Sequence, residues 1–118
     1  MKNKQDISEK ISVIIPTKNR HKEVIECLSS ISIQSRIPDE VVIVDSSDNQ
    51  ELRNKINQFR NLSIYYIHTE PGLELQRNRG IKESNGNIII FSDDDTIWDK
   101  DYLKEIERVF SEFPKSIG

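Results

Sequence analysis

Several features are scarce in this sequence, and each scarcity excludes a class of protein. One cysteine rules out an internal disulfide and makes a reducing compartment the natural expectation. Four glycines, none in G-x-G-x-x-G or G-x-x-x-x-G-K-[ST] spacing, exclude a dinucleotide-binding fingerprint and a P-loop. Apolar runs are far too short to span a membrane, and residues 1–10 lack the apolar segment of a signal peptide. We therefore expect a cytoplasmic domain, and peripheral membrane association stays open.

The charge balance also excludes a large class of partners. The chain has 17 Lys and Arg residues against 20 Asp and Glu residues, a formal net charge of −3, and no basic block. We therefore expect no nucleic-acid partner, because proteins that bind nucleic acid carry a basic patch or stripe. Hydrophobic residues make up only 35% of the chain, but they are concentrated in runs, which argues against disorder.

Short apolar runs alternate with amphipathic segments along the chain. They predict strands over 11–15, 40–44, 62–67 and 88–91, and helices over 21–35, 50–60, 73–83 and 100–113. The order β-α-β-α-β-α-β-α predicts an α/β fold with a Rossmann-like, doubly wound, mainly parallel sheet. Pro16 is expected to end the first strand, since proline cannot donate to a sheet ladder.

The same pattern divides the chain into an arm and one domain. Residues 1–10 are charged and polar, and we expect a flexible N-terminal arm there. Residues 11–118 are expected to form the domain. It looks truncated, because the sequence stops just after a predicted helix, where a further strand would be expected.

Three consecutive aspartates follow the last predicted strand. Asp93, Asp94 and Asp95 repel one another, so folding alone gives little reason for the cluster, whereas a bound Mn²⁺ or Mg²⁺ does. In an extended segment Asp93 and Asp95 project to one side and Asp94 to the other. The pair Asp93 and Asp95 is therefore the first candidate for a metal site. The simpler alternative is that one of these acids caps a turn or a helix.

Polar residues are expected to meet where the predicted strands end. The carboxyl ends of parallel strands lie at one edge of a sheet, where open α/β folds bind ligands. A nucleotide diphosphate suits this edge, because carboxylates accept bonds from ribose or base and arginine forks bind phosphate. The candidate binding residues are Pro16, Thr17, Asn19, Arg20, Asp45, Ser47, Arg77, Asn78, Asp93 and Asp94.

Three segments, in order, resemble one known family. ISVIIPTKNR, VVIVDSSD and LQRNRGIKESNGNIIIFSDDDTIWDKDYL are similar to the first half of a family 2 glycosyltransferase with the GT-A fold. The resemblance covers residues 11–118. It implies a domain that binds a nucleotide-diphosphate sugar, with a UDP-sugar favoured, through Mn²⁺ or Mg²⁺ and for transfer to an acceptor.

The resemblance also implies roles for single residues. Pro16, Thr17 and Asp45 would hold the base and ribose of the donor, and Arg77 would lie near the base. Asp93 would lie towards the ribose, and Asp95 would coordinate the cation on the diphosphate. These assignments rest on the family's motifs and not on spacing alone.

The sequence departs from the family's pattern at two places. The acid after the second strand is usually followed by a turn with glycine, but Ser46, Ser47 and Asp48 stand here. The family's general base belongs to an acceptor half that these 118 residues do not include, so no catalytic residue is assigned. The acceptor, whether sugar, lipid or protein, stays open, and so does self-association.

Two alternatives compete with an active glycosyltransferase. The first is a truncated or degenerate domain that binds a donor or only a protein partner, without catalysis. The second is a haloacid-dehalogenase-type phosphatase, which also has D-x-D after an apolar strand. That family wants Thr or Val two places after the second acid, where Ile97 stands, and its motif follows the first strand and not the fourth.

Overall fold

Four parallel strands form a single sheet in the order β3-β2-β1-β4. The computed structural model describes residues 9–112. The predicted parallel α/β architecture is confirmed, and strands alternate with helices along the described chain. The elements are β1 (Ile11–Thr17), α1 (His21–Ser32), β2 (Glu40–Asp45), α2 (Leu52–Lys55), β3 (Ile64–His68), α3 (Leu73–Glu83), β4 (Ile88–Phe91) and α4 (Tyr102–Glu112).

Helices cover both faces of the sheet, as a doubly wound fold requires. On one face, residues of α1, α2 and α4 pack with β-strand residues into the larger core, which includes Val24, Leu28, Leu52 and Leu103. On the other face, α3 packs against β1 and β2. The core there is smaller and consists of Ile14, Val42, Val44 and Ile67, with Ile89 packed against it.

Pro16 lies inside β1, so the prediction that it ends the first strand was wrong. The carbonyl of Ile14 accepts a hydrogen bond from Ser92 N at 2.9 Å, so Ile14 and, by the alternation of the strand, Pro16 face the β4 side. The ladder between β1 and β4 stops at the pair Ile14 and Phe91. Among residues 9–112, no strand residue therefore faces the nitrogen of Pro16, and its missing N–H breaks no bond of the β1–β4 ladder.

Two helices are shorter than the sequence predicts. α1 ends at Ser32, and Ser29, Ser30 and Ser32 each donate a hydroxyl to a backbone carbonyl three or four residues earlier, a pattern that weakens helices. α2 makes one turn and tightens into a 3₁₀ turn over Ile56–Gln58 instead of filling 50–60. Asn54 and Asn57 lie in this segment, and asparagine has a lower helix propensity than the Leu, Arg and Lys residues beside it.

Two of the predicted boundaries fall at the ends of the chain. Residues 1–8 lie outside the described residues, so a flexible arm there stays a prediction. Lys10 is described, and its carbonyl accepts hydrogen bonds from the N–H groups of Asn87 and Ile88 at 2.8 and 3.0 Å. The predicted end of the last helix at 113 also lies outside. Within residues 9–112, no helix combines the length and apolar character that crossing a membrane requires.

Candidate functional site

An open cleft of about 460 Å³ lies at the carboxyl edge of the sheet. It sits where the loops after β1 and β4 meet the first two turns of α3, as the parallel topology predicts. Much of its lining is polar or charged: Pro16, Thr17, Lys18, Arg20, Leu73, Gln76, Arg77, Phe91, Ser92, Asp93, Asp94 and Asp95.

The three aspartates form a turn and not an extended segment. Thr96 N donates to Asp93 O at 3.3 Å, which closes the turn. Asp94 Oδ2 accepts a hydrogen bond from Thr17 Oγ1 at 2.9 Å, and Asp94 Oδ1 accepts one from Arg20 Nε at 3.1 Å. The simple alternation of side chains expected for an extended strand therefore does not hold, and Asp94 lies against the loop after β1.

Arg20 joins two neighbouring carboxylates. Its Nε contacts Asp94, and its Nη2 donates to Asp95 Oδ2 at 3.2 Å. The negative charge of Asp94, more than any other group, raises the pKa of Arg20 above its usual value. The three side chains differ in exposure: 14% for Asp94, 45% for Arg20 and 58% for Asp95. Arg20 therefore contacts one largely buried carboxylate, that of Asp94, and one exposed carboxylate, that of Asp95.

Ser92, which lies between β4 and the three aspartates, is held by buried contacts. Ser92 is buried, and its hydroxyl accepts a hydrogen bond from Trp98 Nε1 at 3.1 Å and contacts Cys27 Sγ at 3.8 Å. Burial raises the pKa of the Cys27 thiol to about 11, so the sulfur stays protonated at neutral pH. Trp98 belongs to the larger core, and Tyr102 packs edge-on against it. The turn formed by Asp93, Asp94 and Asp95, called the acid turn below, is therefore attached to the core through Ser92.

Two predicted binding residues on the polar helix α3 lie in different clefts. Arg77 lines the cleft, and its guanidinium carbon lies 5.7 Å from the centre of the Phe91 ring. Asn78 lines a separate cleft with residues such as His68, Glu70 and Lys82. The structure therefore brings Arg77 and the acids together but does not bring Asn78 to them.

Asp45 is fully buried and its carboxylate is already bonded. Oδ1 accepts hydrogen bonds from the N–H of Ser47 at 3.0 Å and from its hydroxyl at 2.5 Å. Oδ2 accepts one from the hydroxyl of Tyr66 at 2.6 Å. Burial, and then the bond to Asp45, raise the pKa of Tyr66 above its usual value. Asp45 does not line the cleft of the acids, so the donor contact implied by the family stays a prediction.

Asn19 and Ser47 connect the loops that follow β1 and β2. The N–H of Asn19 donates to Ser47 Oγ at 2.7 Å, and the side chain of Asn19 bonds with both the N–H and the carboxylate of Asp48. Asn19 has a φ of 55°, in the left-handed region that asparagine tolerates better than most residues. Both residues join the two loops to each other, and neither lines the cleft itself.

Gln76 is a site residue that the sequence analysis missed. It is buried, and its Nε2 donates to the carbonyls of Thr17 at 3.0 Å and Val44 at 2.8 Å. These carbonyls lie at the ends of β1 and β2. Gln76, which also lines the cleft, thus ties α3 to the two central strands.

We expect the substitution Gln76→Leu to lower the free energy of unfolding by about 1–2 kcal/mol, because two carbonyls lose a buried donor. Denaturant unfolding measures this loss. The control is Gln58→Leu, since the amide of Gln58 donates to Lys55 O at an exposed position. That change is expected to stay within about 0.5 kcal/mol of wild type. Equal effects of the two substitutions would contradict a tie specific to Gln76.

The acids do not form a metal centre by themselves. Within residues 9–112, no three His, Cys, Asp or Glu side chains are grouped closely enough to hold a metal ion. A cation that also takes phosphate oxygens needs only one or two protein carboxylates. Both oxygens of Asp94 are engaged by Thr17 and Arg20, which leaves Asp93 and Asp95 as the exposed carboxylates that fit such a cation.

Comparison with known sequences gives one consistent family. Residues 12–117 match the family model described as glycosyl transferase family 2. The chain is 29% identical over 115 residues to glycosyltransferase GlyA of Streptococcus pneumoniae, a match that covers 95% of this chain and 16% of GlyA. It is 30% identical over 109 residues to poly(ribitol-phosphate) beta-N-acetylglucosaminyltransferase TarS of Staphylococcus aureus, covering 87% of this chain and 19% of TarS. The chain thus spans less than a fifth of either relative.

The solved structures that resemble this chain are also glycosyltransferases. The crystal structure of TarS 1–349 in complex with UDP-GlcNAc matches with a TM-score of 0.75 and 34% identity, over 87% of this chain and 31% of that one. The mannosyltransferase PcManGT from Pyrobaculum calidifontis, in complex with GDP-Man and Mn²⁺, matches with a TM-score of 0.67 and 26% identity, over 76% of this chain and 28% of that one. These neighbours confirm the predicted GT-A type of fold. Since the family model matches nearly the whole chain, the chain belongs to glycosyltransferase family 2.

Proposed function

We propose that this domain binds the nucleotide diphosphate of a sugar donor in the cleft at the carboxyl edge of the sheet, for transfer of the sugar to an acceptor. The observation that carries the proposal is the meeting of Thr17, Arg77 and the acids Asp93 and Asp95 around one cleft of about 460 Å³. Basic and acidic groups are both present there. A metal-bound diphosphate needs both, because its oxygens bind cations and its metal binds carboxylates.

The cations of the cleft suit the phosphates. Lys18, Arg20 and Arg77 line it, and Arg77 rests on the face of Phe91. An arginine held in one orientation offers a planar fork of donors that matches phosphate or carbonyl oxygens. Arg77 is therefore assigned to the donor, at its diphosphate or base. Pro16 and Thr17 supply the backbone edge of the same cleft.

We assign Mn²⁺ or Mg²⁺ to Asp93 and Asp95, with the diphosphate completing its ligands. These two carboxylates are exposed, whereas both oxygens of Asp94 are already engaged by Thr17 and Arg20. A cation there would supply charge stabilisation to the leaving diphosphate. The neighbour PcManGT, solved with GDP-Man and Mn²⁺, supports a divalent cation in this type of fold.

UDP is the favoured nucleotide of the donor. The support comes from TarS, whose solved structures include complexes with UDP and with UDP-GlcNAc. PcManGT, in complex with GDP-Man, keeps a GDP-sugar as the alternative. A general base and an acceptor are not assigned to any residue. A domain that binds a donor or a protein partner without catalysis therefore stays the competing proposal.

Thermal unfolding with a panel of nucleotides tests this proposal. UDP, GDP, dTDP and CDP are each added with and without Mn²⁺. A ligand at about 100 times its dissociation constant adds roughly 2.7 kcal/mol, which raises the melting temperature of a domain of this size by several degrees. A shift for one nucleotide that depends on Mn²⁺ supports the donor site and identifies the base. No shift with any nucleotide contradicts donor binding by this chain.

Adjacent residues of α3 provide a matched pair of variants. We expect Arg77→Ala to weaken UDP binding about tenfold or more, with or without Mn²⁺, because a charge-assisted contact is lost. Asn78→Ala is the control, since Asn78 lines a different cleft. Isothermal titration with UDP measures both variants. Equal losses would place Asn78 in the donor site as well, and unchanged affinity in Arg77→Ala would remove Arg77 from it.

A further inference from the structure

We propose that Arg20 is an exchangeable internal cation of the acid turn: it holds Asp95 until a divalent cation takes that carboxylate. This inference rests on the proposed function, because the exchange concerns the same cation. It adds a role for a residue that is not itself a metal ligand. Arg20 would act as a positioning residue that sets how readily the acids accept metal before the donor arrives.

The two contacts of Arg20 are unequal in a way that permits exchange. Its contact with Asp94 is sheltered, and the same carboxylate also accepts the hydroxyl of Thr17. Its contact with Asp95 is a single bond of 3.2 Å between two exposed groups. Exposed ion pairs contribute little free energy, so a divalent cation can displace this one. The Asp94 contact then keeps Arg20 beside the site while Asp95 is released.

Charge explains why such a residue is useful. Asp93, Asp94 and Asp95 repel one another, and the guanidinium offsets that repulsion in the absence of metal. It also competes with metal, because the same Asp95 oxygen cannot bind a guanidinium and a cation in full at once. A diphosphate offers the freed arm of Arg20 a new acceptor. Donor and cation would therefore bind best together.

Titration with Mn²⁺ alone, followed by electron paramagnetic resonance of the free ion, tests the exchange. We expect Arg20→Gln to bind Mn²⁺ about three- to tenfold more tightly than wild type without any nucleotide, because a competing cation is removed. A variant that was merely damaged would bind more weakly, so the direction of the change is informative. A thermal melt of each protein establishes that it is folded.

Two further variants distinguish the effect of the Arg20–Asp95 ion pair from the effect of removing any positive charge from the cleft. Lys18→Gln removes a positive charge from the lining of the same cleft, and no ion pair within residues 9–112 joins Lys18 to the acids. It is expected to tighten Mn²⁺ binding less than Arg20→Gln does. Arg20→Lys keeps the charge but loses the planar fork, and its affinity is expected to fall between those of wild type and Arg20→Gln. If Arg20→Gln does not fold, Arg20→Lys carries the test.

The outcomes divide cleanly. Tighter Mn²⁺ binding in the Arg20 variants, and less so in Lys18→Gln, supports the exchange. Unchanged or weaker binding, an equal effect of Lys18→Gln, or no Mn²⁺ binding by any of the proteins overturns it. Nucleotide binding is measured separately with UDP. Binding of UDP without any role for Mn²⁺ would overturn the exchange and leave the donor site standing, whereas Mn²⁺ exchange without UDP binding would overturn the donor site.

Discussion

Replacing Asp95 with asparagine is expected to weaken Mn²⁺-dependent binding of UDP by about 100-fold or more. The change removes one of the two exposed carboxylates assigned to the cation, and even partners that only orient metal ligands are worth 10–100-fold in affinity. The neutral amide keeps the size of the side chain but offers a weaker ligand. Isothermal titration with UDP, at a fixed excess of Mn²⁺, measures the loss.

The fold itself should tolerate this substitution. Asp95 is 58% exposed, and within residues 9–112 its ion pair is with the exposed Arg20, so the free energy of unfolding is expected to fall by no more than about 1 kcal/mol. Asp99→Asn is the matched control, because Asp99 is an exposed acid four positions further on, and its Oδ2 accepts a hydrogen bond from Asp101 N at 3.1 Å that closes a turn. Equal losses of UDP affinity in the two variants would argue against a metal ligand at Asp95.

The sheet was predictable because its signals are strong and local. The wholly apolar run 41–44 is buried on both faces of the parallel sheet, whereas β4 goes from a buried Ile88 to an exposed Phe91; each run lies close to where the sequence places a strand. Helix ends were less predictable. The serines near the end of α1 weaken that helix through side-chain bonds to backbone carbonyls, which a periodic apolar pattern does not register.

The sequence predicts which loops meet at the site, but it does not predict how their side chains are bonded. Parallel topology brings the ends of β1 and β4 together, so Thr17 and the acids meet as expected. The bridge by Arg20 depends on a turn at Asp93–Asp95 that an extended reading does not produce. Asp45 is bonded by Ser47, two residues further on, and by Tyr66 of the neighbouring strand β3, and no local pattern predicts the contact with Tyr66.

The role of α3 has a signal that a search for apolar stripes overlooks. The two buried residues of this polar helix are Gln76 and Gly80, which are four positions apart and therefore on one face. A small residue allows the helix to approach the sheet closely, and an amide satisfies the carbonyls it meets there. This spacing of a glycine and a glutamine is visible in the sequence. It identifies the buried face that hydrophobicity alone does not.

We expect Gly80→Ala to lower the free energy of unfolding by about 2 kcal/mol, although alanine is the better helix former by about 1 kcal/mol. A methyl group at Gly80 would lie 2.4 Å from Cγ2 of Ile14. Ile14 is fully buried in a central strand, so it has no open space to move into. The melting temperature should fall by roughly 10 °C, and denaturant unfolding gives the free energy.

A double-mutant cycle with Ile14→Ala separates this clash from any other cause. Ile14→Ala alone creates a cavity and is expected to cost about 2–5 kcal/mol. In that background the added methyl group of Gly80→Ala meets empty space, so its effect should change sign and become neutral or stabilising. A loss of the same size in both backgrounds would contradict the clash.

The close contact at Gly80 also bears on the donor site. Because Arg77 lies on the same helix as Gly80, we expect the distance between the helix and the sheet to set how near Arg77 lies to the acids. The single variant Gly80→Ala should therefore weaken UDP binding even at temperatures where it is fully folded.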